Sequence, residues 1–300
     1  MLYSKVTPEQ KRIRLRELLA SGTIQQFPGA FNPLSARLIE EKGFAGVYIS
    51  GAVLANDLGL PDIGLTTLTE VATRAGQIAR MTDLPSLVDA DTGFGEPMNV
   101  ARSVQELENA GLAGLHIEDQ FNPKRCGHLD GKNVVDLDTA TKRIRAAADA
   151  RRDPNFLIMA RTDIRAVEGI QAAQDRAKAL VEAGADAIFP EAMKDLSEFQ
   201  AIRDAVDVPL LANMTEFGQS ALFTVDQLSG VGVNMIIYPV TLLRSAMGAA
   251  ERTLESIKAD GTQEAQVGSM LTRARLYDLV DYEAYNRFDT GIFNFQIPGK

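Results

Sequence analysis

One phrase recurs along the 300-residue chain and limits what it can fold into. Gly43-Phe44-Ala45-Gly46-Val47-Tyr48-Ile49-Ser50, Gly111-Leu112-Ala113-Gly114-Leu115-His116-Ile117-Glu118 and Gly184-Ala185-Asp186-Ala187-Ile188-Phe189-Pro190-Glu191 share one plan. Each opens on a glycine of the kind found just past a helix end, continues as a short apolar strand and stops at a polar residue. A second phrase alternates with it. Asp83-Leu84-Pro85 precedes Ser86-Leu87-Val88-Asp89, Asp153-Pro154 precedes the run 156–161, and Asp207-Val208-Pro209 precedes 210–213. A repeated helix–turn–strand unit is the mark of a stacked or closed parallel sheet.

The pattern predicts eight strands, at roughly 24–30, 46–51, 86–91, 114–120, 156–163, 187–192, 209–214 and 235–239. Amphipathic segments fill the gaps. Asn32-Pro33 starts a helix that Gly43 closes, 97–110 ends at Gly111, and 170–183 ends at Gly184. Thr7-Pro8-Glu9-Gln10 starts an extra N-terminal helix. From about 242 to 288 the chain is mostly helical, longer than one closing helix needs. The expected fold is α/β, a (β/α)8 TIM-type barrel, with residues 1–300 as a single domain carrying a C-terminal helical extension. A doubly wound open sheet is the alternative, because periodicity alone does not prove closure. No Gly-x-Gly-x-x-Gly opens a helix after the first strand, which lowers the dinucleotide-fold reading.

Composition removes several classes of function. A net charge of −9 argues against sequence-independent nucleic-acid binding. No apolar run approaches the length of a membrane span. One cysteine cannot form an internal disulfide and the first residues lack the apolar core of a signal peptide, so a cytoplasmic location is the expectation. An anionic substrate would have to be held by local cations against the mean field.

In a barrel the site sits at the C-terminal ends of the strands. There the sequence turns polar, at Ser50, Asp89, Asp91, Glu118, Arg161, Glu191, Asn213 and Thr215. Alternation puts Tyr48 with Ser50, His116 with Glu118, and Asp89 with Asp91 on shared faces. Any one of these could be a solvated strand end or a helix cap; recurrence on nearly every strand points to a site. The pair Asp89 and Asp91, followed by Thr92-Gly93-Phe94-Gly95, can reach one divalent cation, and few protein oxygens with several waters suit Mg²⁺. One cysteine and two histidines disfavour zinc.

The loop from Phe121 to Lys132 holds the cysteine. Cys126 sits among Lys124, Arg125, His128 and Lys132, and positive neighbours stabilise a thiolate. Gly127 and Gly131 give backbone freedom for a lid. Arg244, just past the last strand, and Arg273, in the tail, are weaker candidates as partners of a polycarboxylate.

Lys124-Arg125-Cys126-Gly127-His128 resembles the K-R-C-G-H signature of the 2-methylisocitrate lyases, in the isocitrate lyase/phosphoenolpyruvate mutase superfamily. Further segments fit in order: Ser50-Gly51, Val88-Asp89-Ala90-Asp91, His116-Ile117-Glu118-Asp119-Gln120, Ala160-Arg161-Thr162-Asp163, Phe189-Pro190-Glu191-Ala192, Asn213-Met214-Thr215-Glu216-Phe217-Gly218 and Tyr238-Pro239. The resemblance spans nearly the whole chain. It implies cleavage of 2-methylisocitrate to pyruvate and succinate, the closing step of propionate breakdown through the methylcitrate cycle. It also implies Mg²⁺ at Asp89 and Asp91, and a homotetramer whose last barrel helix is exchanged between subunits. By position, Ser50, Gly51, Cys126, Gly127, Arg161, Glu191, Asn213, Thr215, Arg244 and Arg273 would contact substrate. Ala52 departs from the Ser-Gly-Gly run of many relatives, but its backbone amide can still donate. Isocitrate lyases more often read K-K-C-G-H, carry long insertions and place tryptophan where this chain has Phe189.

The resemblance makes the Cys126 thiol the proton donor to carbon. Tyr48 and Glu118 are both candidates for the base, and Glu118 has a second possible role toward metal-held water. His128 is assigned to tuning Cys126 or shaping its loop. Oxaloacetate hydrolysis by the same machinery and a non-catalytic carboxylate sensor are the alternatives.

Overall fold

The computed structural model describes residues 3–125, 127 and 131–296. Cys126 and His128 lie outside the described residues.

Thr7 and Gln10 form a reciprocal capping box and Pro8 enters the first turn, so α1 (Pro8–Ala20) begins where the sequence predicts. It leads into β1 (Gln25–Pro28), α2 (Pro33–Glu41) and β2 (Val47–Ile49). A helix the periodicity does not predict, α3 (Gly51–Asp57), starts directly at the end of β2. Then follow α4 (Leu68–Ala79), β3 (Ser86–Asp89), α5 (Pro97–Asn109), β4 (Gly114–Glu118), α6 (Leu137–Ala150) and β5 (Leu157–Thr162). The second half continues with α7 (Arg165–Glu168), α8 (Ile170–Glu182), β6 (Ala187–Pro190), α9 (Leu196–Ala205), β7 (Leu211–Asn213), α10 (Val225–Gly230) and β8 (Met235–Tyr238). The tail holds α11 (Thr241–Asp260), α12 (Arg273–Leu279) and α13 (Tyr282–Phe293).

Each expected strand is present, and pairing decides between a closed and an open sheet. β2 to β6 pair in sequence order, all parallel, and β7, β8 and β1 pair likewise. Parallel bridges Gly29↔Tyr48 and Ile188↔Leu210 join the two arcs. The first strand therefore meets both the second and the last, which only a closed barrel allows.

Alternation gives two cores. Side chains facing outward, such as Val47, Ile49, Val88, Ile117 and Ile158, pack under the helices. Those facing inward, including Phe27, Leu87, Leu157, Met159, Met235 and Ile237, fill the barrel. Leu15 and Leu19 of α1 belong to this inner cluster, so α1 plugs the bottom. Its cations finish the seal by donating to backbone oxygens. Lys11 Nζ reaches the carbonyls of Ala79 and Thr82, and Arg12 reaches those of Glu108 and Leu112. These acceptors lie in the last turns of α4 and α5 and in the loops that follow them.

The tail behaves differently. None of the residues of α11 is buried, although it is 20 residues long. Met247, Leu254 and Ile257 on α11, and Phe288, Ile292 and Phe293 on α13, are all exposed. α12 and α13 lie against α2 and Met81, with Arg37 donating to the Leu279 carbonyl.

Candidate active site

The strand ends converge on a cavity of about 600 Å³. Its walls include Tyr48, Ser50, Ala52, Asp89, Gly127, Arg161, Phe189, Glu191, Asn213, Thr215 and Arg244. Seven segments far apart in sequence thus meet at one mouth, as barrel geometry requires. Ser50 and Ala52 arrive at the start of α3, where Gly51 is the first helical residue.

Asp89 and Asp91 meet, but not by the expected route. β3 ends at Asp89, and Asp91 lies beyond it in the left-handed region with φ 47°. Strand alternation therefore does not place Asp91; a tight turn does. The carboxylates still converge above Gly51, where a Cβ would lie 3.0 Å from Asp89 Oδ2 and 3.1 Å from Asp91 Oδ1. The absence of a side chain at Gly51 keeps that space open. Gly51 N–H donates to Asp89 Oδ2, and Asp91 N–H donates to Asp89 Oδ1. Asp91 itself lines the adjoining cleft with Thr66, Phe94 and Asn122 rather than the main cavity.

Burial sets the protonation of this acidic centre. It raises Asp91, although Lys124 opposes the shift. Burial also pushes against Asp89, but His116, Lys124 and Arg161 together hold its pKa below the usual value. Glu118 is raised well above the ordinary range, first by burial. It is almost fully enclosed, does not line the cavity, and neither of its carboxylate oxygens has a hydrogen-bond partner among the described residues. Among the described residues, Arg161 Nη2 pairs with it at 3.3 Å.

The Lys124 ammonium lies 2.5 Å from Asp91 Oδ1 and 2.7 Å from Asp62 Oδ1, in a nearly buried ion triad. Lys132 Nζ lies 2.8 Å from Asp163 Oδ1 and also donates to the Gly127 carbonyl. Asp163 Oδ2 in turn holds Arg161 Nε at 3.0 Å. Arg161 also faces Glu191 Oε2 at 3.3 Å and stands over the Phe189 ring at 5.2 Å. This buried guanidinium is therefore fixed on several sides before any substrate arrives.

Gly127 is glycine for lack of space. A Cβ there would come within 2.4 Å of Arg161 Nη2 and 2.6 Å of Glu191 Cγ. Gly131, at φ 77°, fits the expected need for backbone freedom. Arg273, by contrast, is exposed at the start of α12 and does not line the cavity.

Two further residues of the site had no role assigned from sequence, although alternation placed His116 on the face of Glu118. His116 is fully buried, and its Nε2 lies 2.7 Å from Tyr48 Oη. Burial pushes its pKa down to about 4, so the ring is neutral near pH 7. Asp62 joins Lys124 across 62 positions of sequence, which no local pattern reveals.

The donor set suits a hard divalent cation. Two carboxylates converge above Gly51, Glu118 is buried behind them without a hydrogen bond, and the Lys124 ammonium already shows that Asp91 accepts a cation. All of these are oxygen donors, as Mg²⁺ prefers. Among the described residues no three acidic, histidine or cysteine side chains form a complete metal cage, so waters would have to complete the shell.

Fold and site together define a (β/α)8 barrel that gathers acids and arginines around a small polar cavity at its C-terminal rim. The chain belongs to the phosphoenolpyruvate phosphomutase family, whose model matches residues 15–258. A probable 2-methylisocitrate lyase from Corynebacterium glutamicum is 59% identical over 98% of this chain and 96% of its own length. A solved oxaloacetate acetylhydrolase, in complex with 3,3-difluorooxalacetate, superposes with a TM-score of 0.90 at 33% identity, covering 97% of this chain and all of its own. A phosphonopyruvate hydrolase solved with oxalate and Mg²⁺ gives a TM-score of 0.84 at 29% identity, covering 97% of this chain and 99% of its own.

Proposed function

We propose that this chain cleaves 2-methylisocitrate to pyruvate and succinate in a Mg²⁺-dependent reaction. The observation that carries the reading is the full-length, 59% identical relative named a probable 2-methylisocitrate lyase, taken with a cavity walled by Ser50, Arg161, Glu191, Asn213, Thr215 and Arg244. The related hydrolase is only 33% identical, which favours the lyase over oxaloacetate hydrolysis.

The reaction breaks the bond between the hydroxyl-bearing carbon and its neighbour. The hydroxyl proton leaves, the pyruvate carbonyl forms, and the bond's electron pair passes to carbon beside a carboxylate. Asp89 and Asp91 would hold Mg²⁺, which supplies Lewis acidity toward the 2-hydroxy acid end of the substrate. Glu118, closed off from the cavity, supports that centre from behind rather than meeting substrate. Arg161 and Arg244 offset carboxylate charge, and the amide of Ala52 adds a donor at the start of α3, the Gly51 amide being held by Asp89.

Tyr48 is the base that faces the cavity. Burial raises its pKa well above 10, so it reacts as the phenol and not as phenolate. It can take the substrate proton on Oη only by passing its own to His116 Nε2, 2.7 Å away and neutral. The thiol of Cys126 then gives its proton to the carbanion. Gly127, its chain neighbour, lines the cavity.

A homotetramer that exchanges α11 between subunits accounts for the exposed apolar faces of the tail. Such an arrangement also gives Arg273 a route to a partner's cavity. No helix is long and apolar enough to cross a membrane among the described residues. Methylcitrate-cycle metabolism in the cytoplasm is the setting that this reading implies.

Three assays on purified protein test it: pyruvate from 2-methylisocitrate, glyoxylate from isocitrate, and oxalate from oxaloacetate. The expected result is pyruvate release far ahead of the other two. Preferential oxalate formation would replace the lyase with a hydrolase.

A further inference from the structure

The loop after β7 and the first turn of α11 are tied together around Arg244. Three contacts fall on one nitrogen of its guanidinium. Nη1 donates to Thr215 Oγ1 at 3.1 Å, to the Glu216 carbonyl at 2.9 Å and to Glu216 Oε2 at 2.9 Å. The other oxygen of Glu216 accepts from Thr241 Oγ1, at 2.5 Å. The Arg244 carbon Cζ stands 5.6 Å from the centre of the Phe217 ring, itself almost wholly exposed and held at φ 61°. No hydrogen bond to Arg244 Nε or Nη2 occurs among the described residues, and Arg244 lines the cavity. One edge of the fork is thus anchored while the Nε–Nη2 edge keeps both donors for a carboxylate.

We propose that Glu216 is a positioning residue: with Thr241 it clamps Arg244 Nη1, so that the Nε–Nη2 edge is preset to grip a substrate carboxylate. The inference rests on the lyase reading for the identity of the substrate but not for the geometry. An acid at the mouth of a site for a triacid is otherwise a cost. Simple electrostatics says that removing Glu216 should tighten binding of an anion. The clamp says the opposite, because a freed arginine must be ordered again at each binding event. The sign of one measurement therefore separates the two.

The test uses the full chain with Mg²⁺, comparing wild type with Glu216→Ala, Glu216→Asp, Arg244→Lys and the double variant Glu216→Ala/Arg244→Lys. Thermal unfolding confirms that each is folded. The KM for 2-methylisocitrate is read against kcat, and succinate affinity is measured separately by calorimetry. The clamp predicts that Glu216→Ala raises KM and the succinate Kd about ten-fold, and raises KM by more than it lowers kcat. Glu216→Asp recovers part of the loss, and Glu216→Ala adds little once Arg244 is lysine. Unchanged or tighter succinate binding in Glu216→Ala overturns the clamp, as does an equal loss in both Arg244 backgrounds. If wild type binds succinate without cleaving 2-methylisocitrate, the lyase reading falls and the succinate series still decides the clamp. A wild type that does neither overturns both.

Discussion

Tyr48 Oη and His116 Nε2 lie 2.7 Å apart in a fully enclosed pair, and the far nitrogen of the ring, Nδ1, points toward Asp89 Oδ1 at 3.7 Å. The phenol thus joins the cavity to the acidic centre through a neutral imidazole. Phe189 meets the same ring edge-on, with centroids 5.2 Å apart. In Tyr48→Phe the packing survives but the proton path is cut. We expect a folded protein whose kcat for 2-methylisocitrate falls about 10²- to 10⁴-fold, the usual worth of one general acid or base. Steady-state assays beside a thermal melt check this, and near-normal kcat would move the base elsewhere.

Gly51 is where the acidic centre is least tolerant of added volume. Its missing Cβ would sit 3.0 Å from Asp89 Oδ2, between the two aspartates. Gly51→Ala should fold, since the position is helical, yet require a markedly higher Mg²⁺ concentration for half-maximal activity. Asp89→Ala should lose Mg²⁺-dependent turnover altogether. Titrating Mg²⁺ into chelator-treated enzyme measures both. Full activity in excess chelator would remove the metal from the mechanism.

Cys126 lies outside the described residues, so its prediction rests on sequence and on the resemblance. Cys126→Ser exchanges a thiol for a far weaker acid of similar size. The variant should melt like wild type while losing most turnover. Wild-type-like kcat would end the assignment of the thiol as proton donor.

How much of this was legible in the sequence varies with the range of the interaction. The strands were readable because the two alternating phrases mark helix ends and strand starts locally. Barrel closure was not, since β1 meets β8 across some 210 positions, as Gln25↔Met235 shows. α3 escaped because Ser50 makes no side-chain cap bond and Gly51 opens the helix without a signal. The polar strand ends placed Ser50, Asp89, Arg161, Glu191, Asn213 and Thr215 at the cavity correctly. The partners of Lys124 were not legible for a physical reason: a buried ammonium goes to the carboxylates that can offset its desolvation, here Asp62 and Asp91, and Asp62 is remote in sequence.

Lys11 offers a test far from the chemistry. Burial lowers its pKa to about 8, against the pull of Asp83 and Glu40. A lysine depressed on folding holds fewer protons in the native state than in the unfolded one between pH 8 and about 10.5. Stability therefore rises with pH through that window, and the burden of a buried charge is fully present below it. The neutral amine can still donate to the carbonyls of Ala79 and Thr82. Lys11→Met removes the titration and both donors. The difference in Tm between wild type and variant should widen in favour of wild type from pH 8 to pH 10. A difference independent of pH would show that the charge is not carried into the folded state at a cost.

The last prediction concerns the surface that the tail leaves bare. A 20-residue helix without one fully buried residue gains little from burial in its own chain beyond its first turn, where Leu242 packs on the core, and Leu254 and Ile257 on it are exposed. Propensity alone holds a helix of this length only marginally in water. Covering those side chains with a second copy recovers roughly 1.5–3 kcal/mol for each one fully buried. The double variant Leu254→Asp/Ile257→Asp should therefore shift the proposed tetramer toward smaller species on size-exclusion chromatography with light scattering. It should also make Tm depend less on protein concentration, because folding is then no longer coupled to assembly. An unchanged tetramer would show that α11 does not carry the interface, and would leave the exposed apolar face of α13 as the one to mutate next.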